Sequence, residues 1–167
     1  MSETTHGLRS VETDDVPGWT AEEVAIDEPT RRSRLRWVVV VDASLPAGMA
    51  VNAAACMAAS TGAAVSGLLG PGSGDADGAW HPGLPWAGCT VLGASPQELL
   101  ELRARASGAD GFLVSDMPAS AQTNRVYAEY LQELQQTASA DLGLRAVSLI
   151  GPRNRVDKLV KRLPLLA

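Results

Sequence analysis

Two aspartates close apolar runs in this sequence. Asp42 follows Trp37-Val38-Val39-Val40-Val41, and Asp116 follows Phe112-Leu113-Val114-Ser115. A carboxylate in such a place can orient water or take its proton as a general base. Asn52 is a polar residue inside an Ala-rich apolar stretch. Its amide, with the open N–H groups of a helix amino end at Gly48 and Met49, would hold the carbonyl oxygen of an amide or ester. Gln122 and Thr123 follow Asp116 closely enough to reach the same edge. Asp116, Asn52 and Thr123 therefore form the candidate catalytic set. Asp42, Gly48, Met49, His81 and Gln122 are the candidate ligand contacts. His81 is the one histidine of residues 35–167, a residue type suited to acid–base work. Each residue also has a plainer role, since Asp at a strand end routinely caps the next turn and Asn ties a helix to a loop.

Cys56 and Cys89 have neither CxxC spacing nor a neighbouring His, so a zinc site is not expected. A nucleophilic thiol needs an activating base, and Cys56 sits between Ala55 and Met57. Both cysteines read as reduced, buried, small apolar residues. No metal or cofactor is expected.

Strands and helices must place these residues. Leu35 to Val41 is a continuous β-branched run that suits a strand buried on both faces. Met49 to Thr61 reads as an Ala-rich helix ending at Gly62, and its lack of charge predicts enclosure on most sides. Gly70 to Trp86 is a long Gly/Pro/Asp-rich loop. With Trp80, His81 and Trp86 in it, this loop is weighed as a lid over the strand ends against a surface loop whose tryptophans pack locally. Cys89 to Gly93 is a second strand. Ser95-Pro96-Gln97-Glu98 has the residues of a capping box that opens a helix running to Gly108. Gly111 to Ser115 is a third strand, Ala119 to Ala140 a long helix and Arg145 to Ile150 a fourth strand. Asn154 to Lys161 is a short basic helix. Arg153, Arg155, Lys158, Lys161 and Arg162 form a basic cluster there, weighed as a phosphate contact against a solvated helix face. This alternation predicts an α/β three-layer sandwich.

Residues 1–34 read as an acidic, disordered tail. Segment 1–30 holds eight acidic residues and, among Lys and Arg, only Arg9. Trp19, Val24 and Ile26 leave open a docking arm instead. Residues 35–167 form the domain. The chain carries a net charge of −5, which argues against holding nucleic acid by a broad basic face. No signal peptide or membrane span is legible, so the expected location is the cytoplasm, away from membranes.

Three segments resemble the type 2 peptidyl-tRNA hydrolase superfamily across roughly residues 35–167. They are the strand Trp37–Asp42 with its Ala-rich helix from Gly48, the run Val114-Ser115-Asp116 followed by Gln122-Thr123, and the close Ile150-Gly151-Pro152, Val156-Asp157-Lys158-Leu159 and Leu163-Pro164-Leu165. The resemblance implies a four-stranded mixed sheet whose last strand is antiparallel. It also implies relatives in a bacterial branch of unknown function. Those hydrolases carry a Lys after the glycine that corresponds to Gly48, where Met49 stands, and a His where Cys56 stands. Met cannot polarise a carbonyl or bind phosphate.

Two functions remain open. One is a hydrolase-like or acyl-transfer protein acting on an acylated nucleotide, tRNA or a related small acylated metabolite. The other is a non-catalytic ligand-binding module or homodimeric interaction module on the same fold.

Overall fold

The computed structural model describes residues 16–167. Strand β1 (Leu35–Asp42) lies inside a four-stranded sheet of order β4-β1-β6-β5, with β4 spanning Thr90–Ala94, β5 Leu113–Met117 and β6 Ala146–Pro152. β4 runs parallel to β1, while β6 is antiparallel to both its neighbours, β1 and β5. The fold is thus α/β with a mixed sheet, as expected, and β6 is the reversed strand.

The valine run is continuous because both faces of β1 are covered. Trp37, Val39 and Val41 enter one core, and Val38 and Val40 enter the other; each is at most 4% exposed. Burying a Val contributes about 1.5–3 kcal/mol, so this strand anchors both layers. Helix α1 (Ala47–Ala64) covers the first face through Ala50, Ala53 and Met57. Helices α2 (Pro96–Ser107) and α5 (Arg153–Val160) cover the second through Leu99, Leu102, Ala106, Val156 and Val160. The Ser95 capping box forms as its residue types predict.

Polar groups inside the first layer find partners. Trp37 Nε1 donates to Ser148 Oγ at 2.8 Å, and Ser148 Oγ lies 2.7 Å from Thr61 Oγ1, which joins β1, β6 and α1. Gly151 is needed where β6 passes Phe112, because a Cβ there would lie 2.4 Å from the ring.

Four expectations need correction. The first is the tail. Its residues 1–15 lie outside the described residues, but Trp19 is 4% exposed and belongs to the α1-side core. Its Nε1 donates to Ser33 Oγ, and its ring meets Trp86 edge-on at 5.5 Å. Gly67, at φ +66°, lets the Trp19 backbone approach where a Cβ would collide. Arg153 pins the same segment by donating to the carbonyls of Thr30, Ser33 and Leu35. Residues 16–34 are therefore a docked arm, because a single Trp supplies the apolar area that the acidic composition hides.

The second correction concerns α1, which is enclosed on one side only. It continues past Gly62 to Ala64, and Val51 is 68% exposed. Third, the helix expected over 119–140 is broken into α3 (Ser120–Thr123) and α4 (Tyr127–Gln136). Asn124 turns extended, and its amide donates to the Ser120 carbonyl and to Glu133. Such a side chain competes with the helix ladder for backbone groups. Fourth, Cys56 and Cys89 are solvent-accessible as residues, not buried. The Cys89 thiol is nonetheless sunk among its neighbours, and burial pushes its pKa up to about 11.

The arm should respond to acid. Arg34 donates to the Glu23 carboxylate, and this bond, with the Thr20 N–H, draws the Glu23 pKa from 4.5 down to about 2. A depressed carboxyl pKa stabilises the folded form above the unfolded value, and that contribution is lost as pH falls. Trp19 and Trp86 fluorescence should therefore shift as the pH drops from 4.5 towards 2, and Glu23→Gln should show part of the shift at neutral pH. A signal unchanged down to pH 2 in both proteins would contradict this anchoring.

Candidate functional site

The carboxyl end of β1 delivers Asp42 to the turn before α1. The carboxylate is buried and accepts from Ser44 N at 2.9 Å and from Ser44 Oγ at 2.6 Å. Both bonds go to Oδ1, which is the turn-capping role. Pro46 is the N-cap of α1 and provides no side-chain cap. Gly48 is exposed, and nothing lies within 4 Å of the place its Cβ would take. Met49 is half-buried beside it.

β5 runs parallel in direction to β1, and the chain leaves it through α3 beside the start of α1. Gln122 of α3 meets α1 there. Its Nε2 donates to the Met49 carbonyl at 2.9 Å and to Asn52 Oδ1 at 3.1 Å. Gln122 Oε1 is left buried without a partner. Swapping the two amide atoms would set an oxygen against the Met49 carbonyl, so the orientation follows from the network. Met49, Asn52 and Gln122 are thus brought together as expected. Thr123 is exposed nearby, and its hydroxyl reaches the Ala119 and Ser120 carbonyls at 3.4 Å each.

Asp116 is not brought to this cluster. Leu113 and Met117 enter the α1-side core, and Ser115 Oγ accepts from Ser60 Oγ of α1. Val114 enters the opposite core. Side chains alternate along a strand, so Asp116 points with Val114 to the α2 side. There Arg103 Nε donates to Asp116 Oδ2 at 2.5 Å. Tyr130 of α4 stands near the pair. Burial, then the proximity of Tyr127 and Asp116, raises its phenol pKa and keeps it neutral. Arg103 has no local signal in the sequence, because the ion pair crosses from α2 to β5.

His81 lies elsewhere. β2 (Ser73–Gly74) and β3 (Trp80–His81) form an antiparallel hairpin. His81 Nε2 is 3.2 Å from Asp75 Oδ2, and Asp75 also accepts from the Asp77 and Ala79 N–H groups. The imidazole contact, then the Ala79 N–H, lowers the Asp75 pKa. This closes the hairpin on itself. The loop spans from the carboxyl end of α1 to the amino end of β4, where Thr90 stands beside Val38. It therefore sits at the opposite end of the parallel strands from Asp42, Gly48 and Gln122, and it is no lid over them. Among the described residues, no group of three or more His, Cys, Asp or Glu could hold a metal. None of their helices is long and apolar enough to cross a membrane.

A family described as a protein of unknown function, DUF2000, matches residues 35–167. The chain belongs to the DUF2000 family. A solved structure of a protein of unknown function, Atu0240 from Agrobacterium tumefaciens strain C58, is similar to this DUF2000 protein with a TM-score of 0.70 and 19% identity. The match covers 80% of this chain and 98% of that one, and it shows the fold alone. No curated protein matches. Neither of the two matches carries the name of a peptidyl-tRNA hydrolase, so the family stands at DUF2000 and the fold at an α/β mixed sheet.

Proposed function

We propose that this DUF2000 protein is a non-catalytic binding module. The observation that supports this most is the division of the candidate catalytic set by the sheet. Asn52 and Thr123 lie on the α1 side, and Asp116 is paired with Arg103 on the other. A general base must come within hydrogen-bond reach of the proton it removes, directly or through one water. Asp116 does not share a face with the groups that would hold the carbonyl. Met49 adds no donor where the resemblance implies a Lys. The hydrolase-like or acyl-transfer reading keeps one support, the open, uncapped start of α1 at Gly48.

The surface such a module would use is the outer face of α1. The helix has 18 residues and no charged side chain, and it leaves Val51, Ala55 and Ala59 open. Uncharged small side chains let two copies of one face meet without like-charge repulsion, as a two-fold interface requires. A second copy of this chain is the partner that fits.

Incubation with peptidyl-tRNA, acylated tRNA and acylated nucleotides should release no product above the buffer rate. Release that disappears in Asp116→Asn and in Asn52→Ala would overturn the proposal. Light scattering should give the mass of a dimer for the native chain and of a monomer for Val51→Glu, with unchanged circular dichroism because Val51 is exposed. A native chain that is monomeric throughout would remove the homodimer.

A further inference from the structure

A concave surface lies on the other side of the sheet, between α2 and α5. Two adjoining cavities of about 370 Å³ each share Arg105, Lys158 and Leu159. One extends to Lys161 and Arg162, and the other to Phe112 and Arg155. Each alone has the volume of a small-molecule pocket. The chain as a whole is negative, at −5, yet this groove gathers five of its 14 Lys and Arg residues.

Among the described residues, none of these five cations is in an ion pair. The neighbouring carboxylates are committed elsewhere. Glu98 closes the capping box on Ser95, Glu101 accepts from Gln97, and Asp157 of α5 takes Arg36. Arg153, the remaining member of the basic cluster, is spent on pinning the arm. The dipoles of α2 and α5 account for Arg105 and Lys158, each in the last turn of its helix, but not for Arg155 in the first turn of α5. The far end of the groove differs in character. Arg155 lies over the Phe112 ring at 4.6 Å and donates to the Asp110 carbonyl, which leaves an apolar floor of Phe112, Ala109 and Leu159.

We infer that the α2–α5 groove binds a phosphorylated small molecule. Its phosphates lie against Arg105, Lys158, Lys161 and Arg162, and its less polar body lies on Phe112 and Leu159. Lys and Arg are the side chains that give charge-assisted hydrogen bonds to phosphate oxygens. A nucleic-acid backbone fits less well. The overall negative charge of the chain opposes a long polyanion. The groove is remote from the α1 face, so this inference goes beyond the binding-module reading and stands or falls apart from it.

The test is calorimetric titration of the full chain with ADP, pyrophosphate, adenosine and a single-stranded oligonucleotide. ADP should bind saturably with a Kd below about 1 mM, and more weakly as salt rises. Pyrophosphate and adenosine should each bind at least about tenfold more weakly than ADP, since each lacks one half of the ligand. Lys158→Gln and Arg105→Gln should each weaken ADP binding about tenfold, with circular dichroism unchanged, whereas Arg31→Gln on the arm should leave it alone. Absence of saturable ADP binding, or binding that both groove variants leave intact, would overturn the site. Pyrophosphate or adenosine binding as tightly as ADP would overturn the two-part ligand, and an oligonucleotide binding more tightly than ADP would overturn the small-molecule assignment.

Discussion

The two-residue alternation along β5, held in register by β6, decides what this domain can do. β6 pairs Ser148 with Ser115 and Val147 with Asp116. Ser148 itself is fixed by Trp37 and Thr61 in the buried layer under α1. With Ser115 turned to α1, Asp116 must turn to α2. A slip of one residue would reverse every side chain of β5, and it would bury Asp116 against α1 while exposing Met117, which is 5% exposed. The carboxylate therefore cannot join Asn52 without breaking the packing that holds the sheet to its helix.

The same constraint separates the molecule into two working sides. On one, an uncharged helix sits over Trp37, Val39 and Val41, with the Gln122 amide tying α3 to its first turns. On the other, two helices sit over Val38 and Val40, and their outward positions carry the cations. The docked arm supports the first side and also draws Arg153 away from the second. The last residues then shield the outer edge of β4: Gly93 N donates to the Pro164 carbonyl, and Leu166 N to that of Val91. Covering an edge strand in this way blocks further strand pairing there.

Much of the fold was legible. The valine run read as a strand buried on both faces, because continuous β-branched residues have few other stable placements in water. The Ser95 capping box read as a helix start for a local reason that needs no tertiary context. The candidate site was legible only in part. Asn52, Met49 and Gln122 meet as their spacing implies, since both helices begin at the same sheet edge. Strand-end position does not reveal the face on which Asp116 stands, whereas side-chain parity does. Leu113, Ser115 and Met117 already marked the other parity. Arg103 had no signal, since its partner lies on β5, and Arg105 had none, since the cations it faces lie on α5. The Trp19 arm was obscured by the acidic residues around it, and the break at Asn124 by the helical spacing on both sides.

A double-mutant cycle tests the central claim most directly, by measuring stability to urea for Asp116→Asn, Asn52→Ala and Arg103→Met, singly and in pairs. The account predicts that Asp116 and Asn52 are additive to within about 0.5 kcal/mol, while Asp116 and Arg103 couple by more than that. A coupling of about 1 kcal/mol or more between Asp116 and Asn52, with none between Asp116 and Arg103, would place the carboxylate on the α1 face and contradict it.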